Sequence, residues 1–201
     1  MASRRRQMER SAETRAKVVL AATECVAELG FRGATMSAIA ARAGVTWGAI
    51  QHQFHEKDAI FDAVLESSLA ELERQLAGLA QGDRVVAARV REFVAAGRVL
   101  VRGPRYRAFV EIQLNRSRDE RRDAAAERAW GQHVLEVIER AWASAFGDLG
   151  LPAARMRAGR RHAFMVLSGI AAESMLFPEV DLTRQHLAVL DTSLRHILDG
   201  D

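Results

Sequence analysis

The chain has 201 residues, 49% hydrophobic and 27% charged, with a net charge of +3. That balance is ordinary for a globular protein with one good core, or with a small head and a larger body. No stretch reaches the ~18 consecutive apolar residues of a membrane helix, and the basic start MASRRRQMER is not followed by the apolar run of a secretory signal. Cys25 is the single cysteine, which excludes an intrachain disulfide and fits a reducing cytoplasm.

Few prolines and aromatics among many Ala, Leu, Arg and Glu point to an all-α fold. Charge is unevenly placed. Residues 1–57 hold nine Lys and Arg against five acids, while the remainder holds twenty against twenty-one. The positive excess is thus confined to the first quarter of the chain, as an electrostatic footprint for phosphate requires.

Residues 1–11 are Arg-rich, polar and aperiodic, and read as a flexible basic arm. Such an arm adds phosphate contacts or enters a minor groove, or is simply a solvated tail. A first helix is expected over 12–29, with Val19, Ala22, Val26 and Leu29 at spacings of three and four. Cys25 sits beside this stripe as a small buried side chain. Gly30 stops the helix and Phe31 tucks under it.

The stretch from Thr35 to Phe54, TMSAIAARAGVTWGAIQHQF, reads as two short helices with a sharp break at Gly44. Thr35 and Thr46 are N-caps, each able to hold an amide of the first turn, and Gly44 takes the left-handed conformation that ends a helix. Ile39, Ala40 and Ala43 share one face of the first helix. In the second, Ile50 and Phe54 stand four apart and anchor inward, while Gly48 and His52 point away and Gln51 lies to one side. A helix that presents Gly, Gln and His behind a tight glycine turn has the helix-turn-helix pattern, with its second helix as the candidate DNA reader.

Each candidate contact has a chemical reason. Thr35 and Thr46 offer hydroxyls and helix N-terminal amides to phosphate. Gly48 lets backbone approach DNA closely; Gln51 and His52 hydrogen-bond base edges or phosphates. Trp47 either packs beside Ile50 and Phe54 or touches a thymine methyl or sugar. Lys57 is placed to clamp the flanking phosphate backbone. His52-x-x-His55 has metal-ligand spacing but no acid or cysteine partner nearby, so no metal is expected.

Amphipathic helices follow. One is expected over 58–80, carried by Ile60, Phe61, Val64, Leu65, Leu69, Leu72, Leu76 and Leu79, and is broken by Gln81-Gly82-Asp83. Others cover 84–101, stopped at Gly103-Pro104, and 105–116. A charged connection over 117–122 then leads to a helix over 123–146 with Trp130, Val134, Leu135, Val137, Ile138 and Trp142 on its apolar side. The last two cover 153–176 and 183–198, divided by Phe177-Pro178. Leu187, Leu190, Leu194 and Ile197 form a stripe on the final helix, and Ser168, Gly169, Ala171 and Ala172 form a small-residue patch on the one before it.

The order LGF…GAT…IAARAGV…GAI…F…K-D-A-I over about residues 12–61 resembles the TetR family of bacterial repressors. The resemblance implies about nine helices: a DNA-binding head at 12–57 and a ligand-binding and dimerisation domain at 58–201. It also implies a cytoplasmic homodimer whose final two helices build the dimer interface. The dimer binds a palindromic operator and lets go when a small molecule enters the second domain. The chain departs from the family pattern at Gln51, where tyrosine is usual, and at Trp47, where lysine, arginine or a small polar residue is common.

Relatives bind effectors between the middle helices of the body. The residues here that supply aromatic walls and a few polar groups are Phe93, Phe109, Gln113, Trp130, His133 and His162; ordinary core is the competing role for each aromatic. No cofactor is expected. With no Gly-rich phosphate loop, no Cys-x-x-Cys, no Glu-x-x-His and no nucleophile elbow, the chain does not read as an enzyme. A helical protein–protein adaptor is the rival reading, and it leaves the Gly48–His52 face without a purpose.

Overall fold

The computed structural model describes residues 2–79, 85–119, 122–177, 179 and 183–200, with the backbone alone for residues 2–4. Among them the elements are α1 Ala2–Gly33, α2 Met36–Ala43, α3 Trp47–Phe54, α4 Lys57–Leu79, α5 Val86–Arg102, α6 Pro104–Arg116, α7 Ala124–Phe146, a 3-10 turn Gly147–Leu149, α8 Ala153–Leu176 and α9 Thr183–Asp199. The expected all-α fold class is what forms. The expected breaks at 81–83 and at Pro178 lie outside the described residues.

Two compact units are present. The first comprises Met1–Ser68 with Arg107–Glu120, and the second Leu69–Tyr106 with Arg121–Asp201. The first half of α4 and most of α6 therefore count with the N-terminal helices, whereas the sequence reading divides the chain at residue 58. Packing supplies the reason. Ile60, Phe61, Val64 and Leu65 are buried on α4, and Ala108 and Ile112 on α6. Arg116 ion-pairs with Asp62, and the Glu111 carboxylate accepts the Phe31 amide at 3.2 Å.

In the first unit, α1 is longer than expected. Where the sequence suggests an aperiodic arm, residues 2–11 continue the helix. Ala, Arg, Gln, Met and Glu are all good helix formers, and the Arg5–Glu9 pair at 3.1 Å lies one turn apart. Gly30 then adopts φ +73°, kinking the chain where the reading places the stop. The buried face of α1 runs over Val18, Ala21, Ala22, Thr23, Cys25, Val26 and Ala27; it includes the expected Ala22 and Val26, while Val19 is half-buried and Leu29 is 53% exposed. Burial raises the Cys25 thiol pKa, as a small core side chain requires.

In the second unit, α5, α7, α8 and α9 pack on one another around Phe93, Trp142, Phe146, Leu167, Leu190 and Leu194. Phe93 meets Trp142 edge-on at 5.4 Å, and Trp142 stacks on Phe146 at 4.2 Å. Gly97 is a close-approach residue, because a Cβ there would sit 3.0 Å from Leu167 Cδ2. At the base lies a charged staple. Arg89 is wholly buried; its guanidinium donates to the Ala145 carbonyl at the end of α7, and to Asp148 at 3.0 and 3.3 Å.

Removing one partner of a buried pair leaves the other without compensation. Arg89→Ala is therefore expected to destabilise the protein by about 3 kcal/mol, and Arg89→Met, which retains the aliphatic stem, by less; urea unfolding of the two variants measures the difference. Tyr106, the single tyrosine, offers a spectroscopic check on α8 packing. Burial raises its pKa above 10.0, and the Ser168 hydroxyl, 3.3 Å away, partly offsets this. Because the folded phenol holds its proton more tightly than the unfolded one, its stabilising contribution is complete below pH 10 and is lost as pH rises through the folded value. Ultraviolet titration is expected to show phenolate forming above the ordinary pH in native protein, later still in Ser168→Ala, and near pH 10 in denaturant.

Candidate nucleic-acid interface

The interface is built from the turn outward. Thr35 Oγ1 accepts from the Ala38 amide at 3.1 Å, which starts α2, and Thr46 Oγ1 accepts from the Ala49 amide at 3.2 Å, which starts α3. Between them Gly44 takes φ +65° and ψ +33°, and the Val45 amide returns to the Ala40 carbonyl at 3.2 Å. This closure satisfies the last carbonyls of α2 and turns the chain sharply enough to begin α3 at once.

Three contacts then fix the roll of α3. Ile50 and Phe54 are buried at 0% and 3% exposure. The Arg15 guanidinium of α1 lies over the Phe54 ring at 4.6 Å, a cation–π contact on the side away from the core. Gln53 Nε2 donates to Ser11 Oγ at 2.6 Å. With those positions committed, Trp47, Gly48, Gln51 and His52 are exposed. Trp47 is 55% exposed, so packing does not claim it. A Cβ built on Gly48 meets nothing within 4 Å; no crowding within the protein demands glycine at this helical position.

Beside His52 lies a concavity of about 740 Å³ lined by Gln7, Arg10, Ser11, Thr14, Arg15 and Gln53. It exists because α1 continues helical through residues that the sequence reading leaves as an arm. Arg6 and Arg10 are exposed and make no ion pair among the described residues. Sequence reasoning missed this wall; the available signal was the run of helix formers from Ala2 to Glu9.

Lys57 is partly buried at the start of α4. Its ammonium donates to the Phe31 carbonyl at 3.1 Å and lies 5.1 and 4.9 Å from the Phe31 and Phe61 ring centres. Burial lowers its pKa, with Asp58 acting in the opposite direction. The ammonium ties the chain just after the Gly30 kink to the start of α4. Arg42 is likewise committed, pairing with Glu28 at 2.5 Å and Glu24 at 3.8 Å. His55 ends α3 with φ +57°, a left-handed φ rare outside glycine, and makes the tight corner into α4.

Residues 18–64 match the model for bacterial regulatory proteins of the tetR family. The likeness to that family is thus carried by the N-terminal helices. Solved structures extend the likeness in fold over most of the chain. A transcriptional regulator from Rhodococcus sp. Rha1 is 21% identical, with 92% of this chain and 96% of that one covered at a TM-score of 0.71. SmeT, the repressor of the Stenotrophomonas maltophilia multidrug efflux pump SmeDEF, is 27% identical, with 90% of each chain covered at a TM-score of 0.58. A TetR-family regulator from Streptomyces coelicolor is 20% identical, with 94% and 96% covered at 0.66. A search of curated proteins finds no match. The N-terminal helices thus match a DNA-binding helix-turn-helix domain, and the whole chain shares its fold with these structures.

The six effector candidates divide between the two compact units. Phe109 and Gln113 fall in the first compact unit and the other four in the second. Phe93 is spent in the aromatic core, and His162 bonds Ser193 at 2.7 Å. Trp130 and His133 do meet, with ring centres 5.5 Å apart on α7.

Gly48→Ala separates folding from recognition. Alanine is favoured over glycine in a helix by about 1 kcal/mol and meets no neighbour here, so the variant is expected to unfold at a higher temperature. The same methyl group stands on the exposed face, and DNA binding is expected to weaken; calorimetry and fluorescence anisotropy give the two readouts.

Proposed function

We propose that this chain is a cytoplasmic repressor of the tetR family that binds a palindromic operator as a homodimer and leaves it when a small molecule occupies the second compact unit. The observation that carries the reading is the division of α3, with Ile50 and Phe54 held in the core and Trp47, Gly48, Gln51 and His52 exposed. A helix presented in this way fits the major groove, where the hydrogen-bonding edges of Gln and His can tell base pairs apart. Thr35 and Thr46 stand at helix N-termini where phosphates are attracted. No helix is long and apolar enough to cross a membrane among the described residues, in keeping with a protein that meets DNA.

The dimer is supported by α8 and α9. Met165, Leu176 and Val189 are 69%, 71% and 65% exposed, and Gly169, beside the exposed Ser168 and Ala172, leaves open space where a Cβ would be. Large apolar side chains around a small-residue patch suit a helix pair packing on its twin, and two-fold operator reading needs such symmetry. The effector reading draws on a relative crystallised with triclosan. It also draws on Trp142, whose indole N–H is buried with no hydrogen-bond partner among the described residues. A buried donor of that kind offers a bond to a ligand acceptor. Trp130 and His133 are the remaining second-unit candidates.

A gel shift with DNA adjoining the gene tests the reading. Binding is expected at low salt, with the logarithm of affinity falling linearly against the logarithm of salt concentration. His52→Ala is expected to lose roughly tenfold in specific affinity while staying dimeric. Met165→Asp with Val189→Asp is expected to elute as a folded monomer with operator binding lost. No shift with any adjoining DNA at low salt removes the regulator reading, and a doubly substituted protein that stays dimeric removes this interface.

A further inference from the structure

The second compact unit carries a groove between α5 and α9 with a volume of about 980 Å³. Its floor is apolar, formed by Val94, Val99, Leu187 and Ala188, and Val99 is 69% exposed. Its rim holds five arginines, Arg91, Arg98 and Arg102 on α5 with Arg184 and Arg195 on α9, against one acid, Asp191. Asp191 is already paired with Arg195 at 2.5 Å. Arg91, Arg98 and Arg184 make no hydrogen bond or ion pair among the described residues. None of these residues belongs to the DNA-reading surface.

We infer that this groove docks an amphipathic helix of another protein, its apolar face on Val94, Val99 and Leu187 and its carboxylates on the arginines. Two features choose the occupant. The uncommitted guanidiniums of α5 stand at residues 91 and 98, two turns apart, over about 10 Å at 1.5 Å per residue, and Arg184 adds a third on α9. A ligand with one anionic head and an apolar tail needs its charges at one end only. A helix bearing Glu or Asp at matching turns answers the whole row, as helix-in-groove recognition requires. The floor chooses between acidic partners: it is aliphatic, with no aromatic side chain on which a nucleobase could stack. The acidic helix of this same chain does not serve, since on α4 Asp62, Glu71 and Glu73 are paired with Arg116, Arg74 and Arg140.

The test uses the full chain and three fluorescein-labelled probes. The first is a stapled helical peptide of about 15 residues with Leu along one face and Glu on both flanks. The second is the same peptide with Lys for Glu, and the third is a single-stranded oligonucleotide of equal length. Anisotropy is expected to show the Glu peptide binding at least about tenfold more tightly than either other probe. Arg98→Glu is expected to weaken it by about the same factor, and Val99→Asp to weaken it as well. Both positions are exposed, so circular dichroism is expected to be unchanged, and neither variant is expected to alter operator binding. Failure of the Glu peptide to bind, equal binding of the Glu and Lys peptides, tighter binding of the oligonucleotide, or indifference to both substitutions overturns the inference. A change of oligomeric state in Arg98→Glu also overturns it, by assigning the groove to a second copy of this chain.

Discussion

The structure's reading surface depends on one constraint, the fixed roll of α3 about its own axis. An eight-residue helix has little stability of its own, and a rotation of one residue, ~100°, would bury His52 or expose Ile50. Three unlike interactions prevent this. Ile50 and Phe54 supply apolar burial, Arg15 closes over the Phe54 ring, and Gln53 is tied to Ser11. The capped turn at Gly44–Thr46 fixes where the helix begins, so both its register and its roll are determined.

Basic residues in this chain divide by partner, and the division explains much of the architecture. Arg42, Lys57 and Arg116 hold the first unit together, joining α2 to α1, the Gly30 kink to α4, and α6 to α4. Arg89 does the same in the second, closing α5 on the end of α7. Lys57 and Arg89 satisfy carbonyls that would otherwise be buried or half-buried without a partner. Charge counted along the sequence therefore overstates what is offered to phosphate. Arg6 and Arg10 stand free on α1, and Arg91, Arg98 and Arg184 on α5 and α9 of the second unit.

The first unit gathers more of the chain than its helix-turn-helix. The Glu111 carboxylate reaches the Phe31 amide at the kink, and the Phe31 ring lies 4.9 Å from Phe61 on α4. The kink, the start of α4 and the middle of α6 are thus bonded at one point.

The sequence alone determined the local features. Thr caps, the Gly44 stop, the Ile50–Phe54 anchor and the leucine stripes of α4 and α9 are legible because each rests on residues within one or two turns of one another. Helical periodicity then follows from the backbone. The same information identified the exposed face of α3. Only the tertiary structure decided what depends on partners far along the chain: the inward turn of Lys57 onto Phe31, the use of Phe93 in the core, the tie of His162 to Ser193 and the burial of Arg89. It also decided that residues 7–11 stand as a helical wall beside His52, where the sequence lacks an apolar stripe because that wall has no core beneath it. A charged side chain looks the same in sequence whether it faces water or a carbonyl, and the distance to that carbonyl is set by packing between helices.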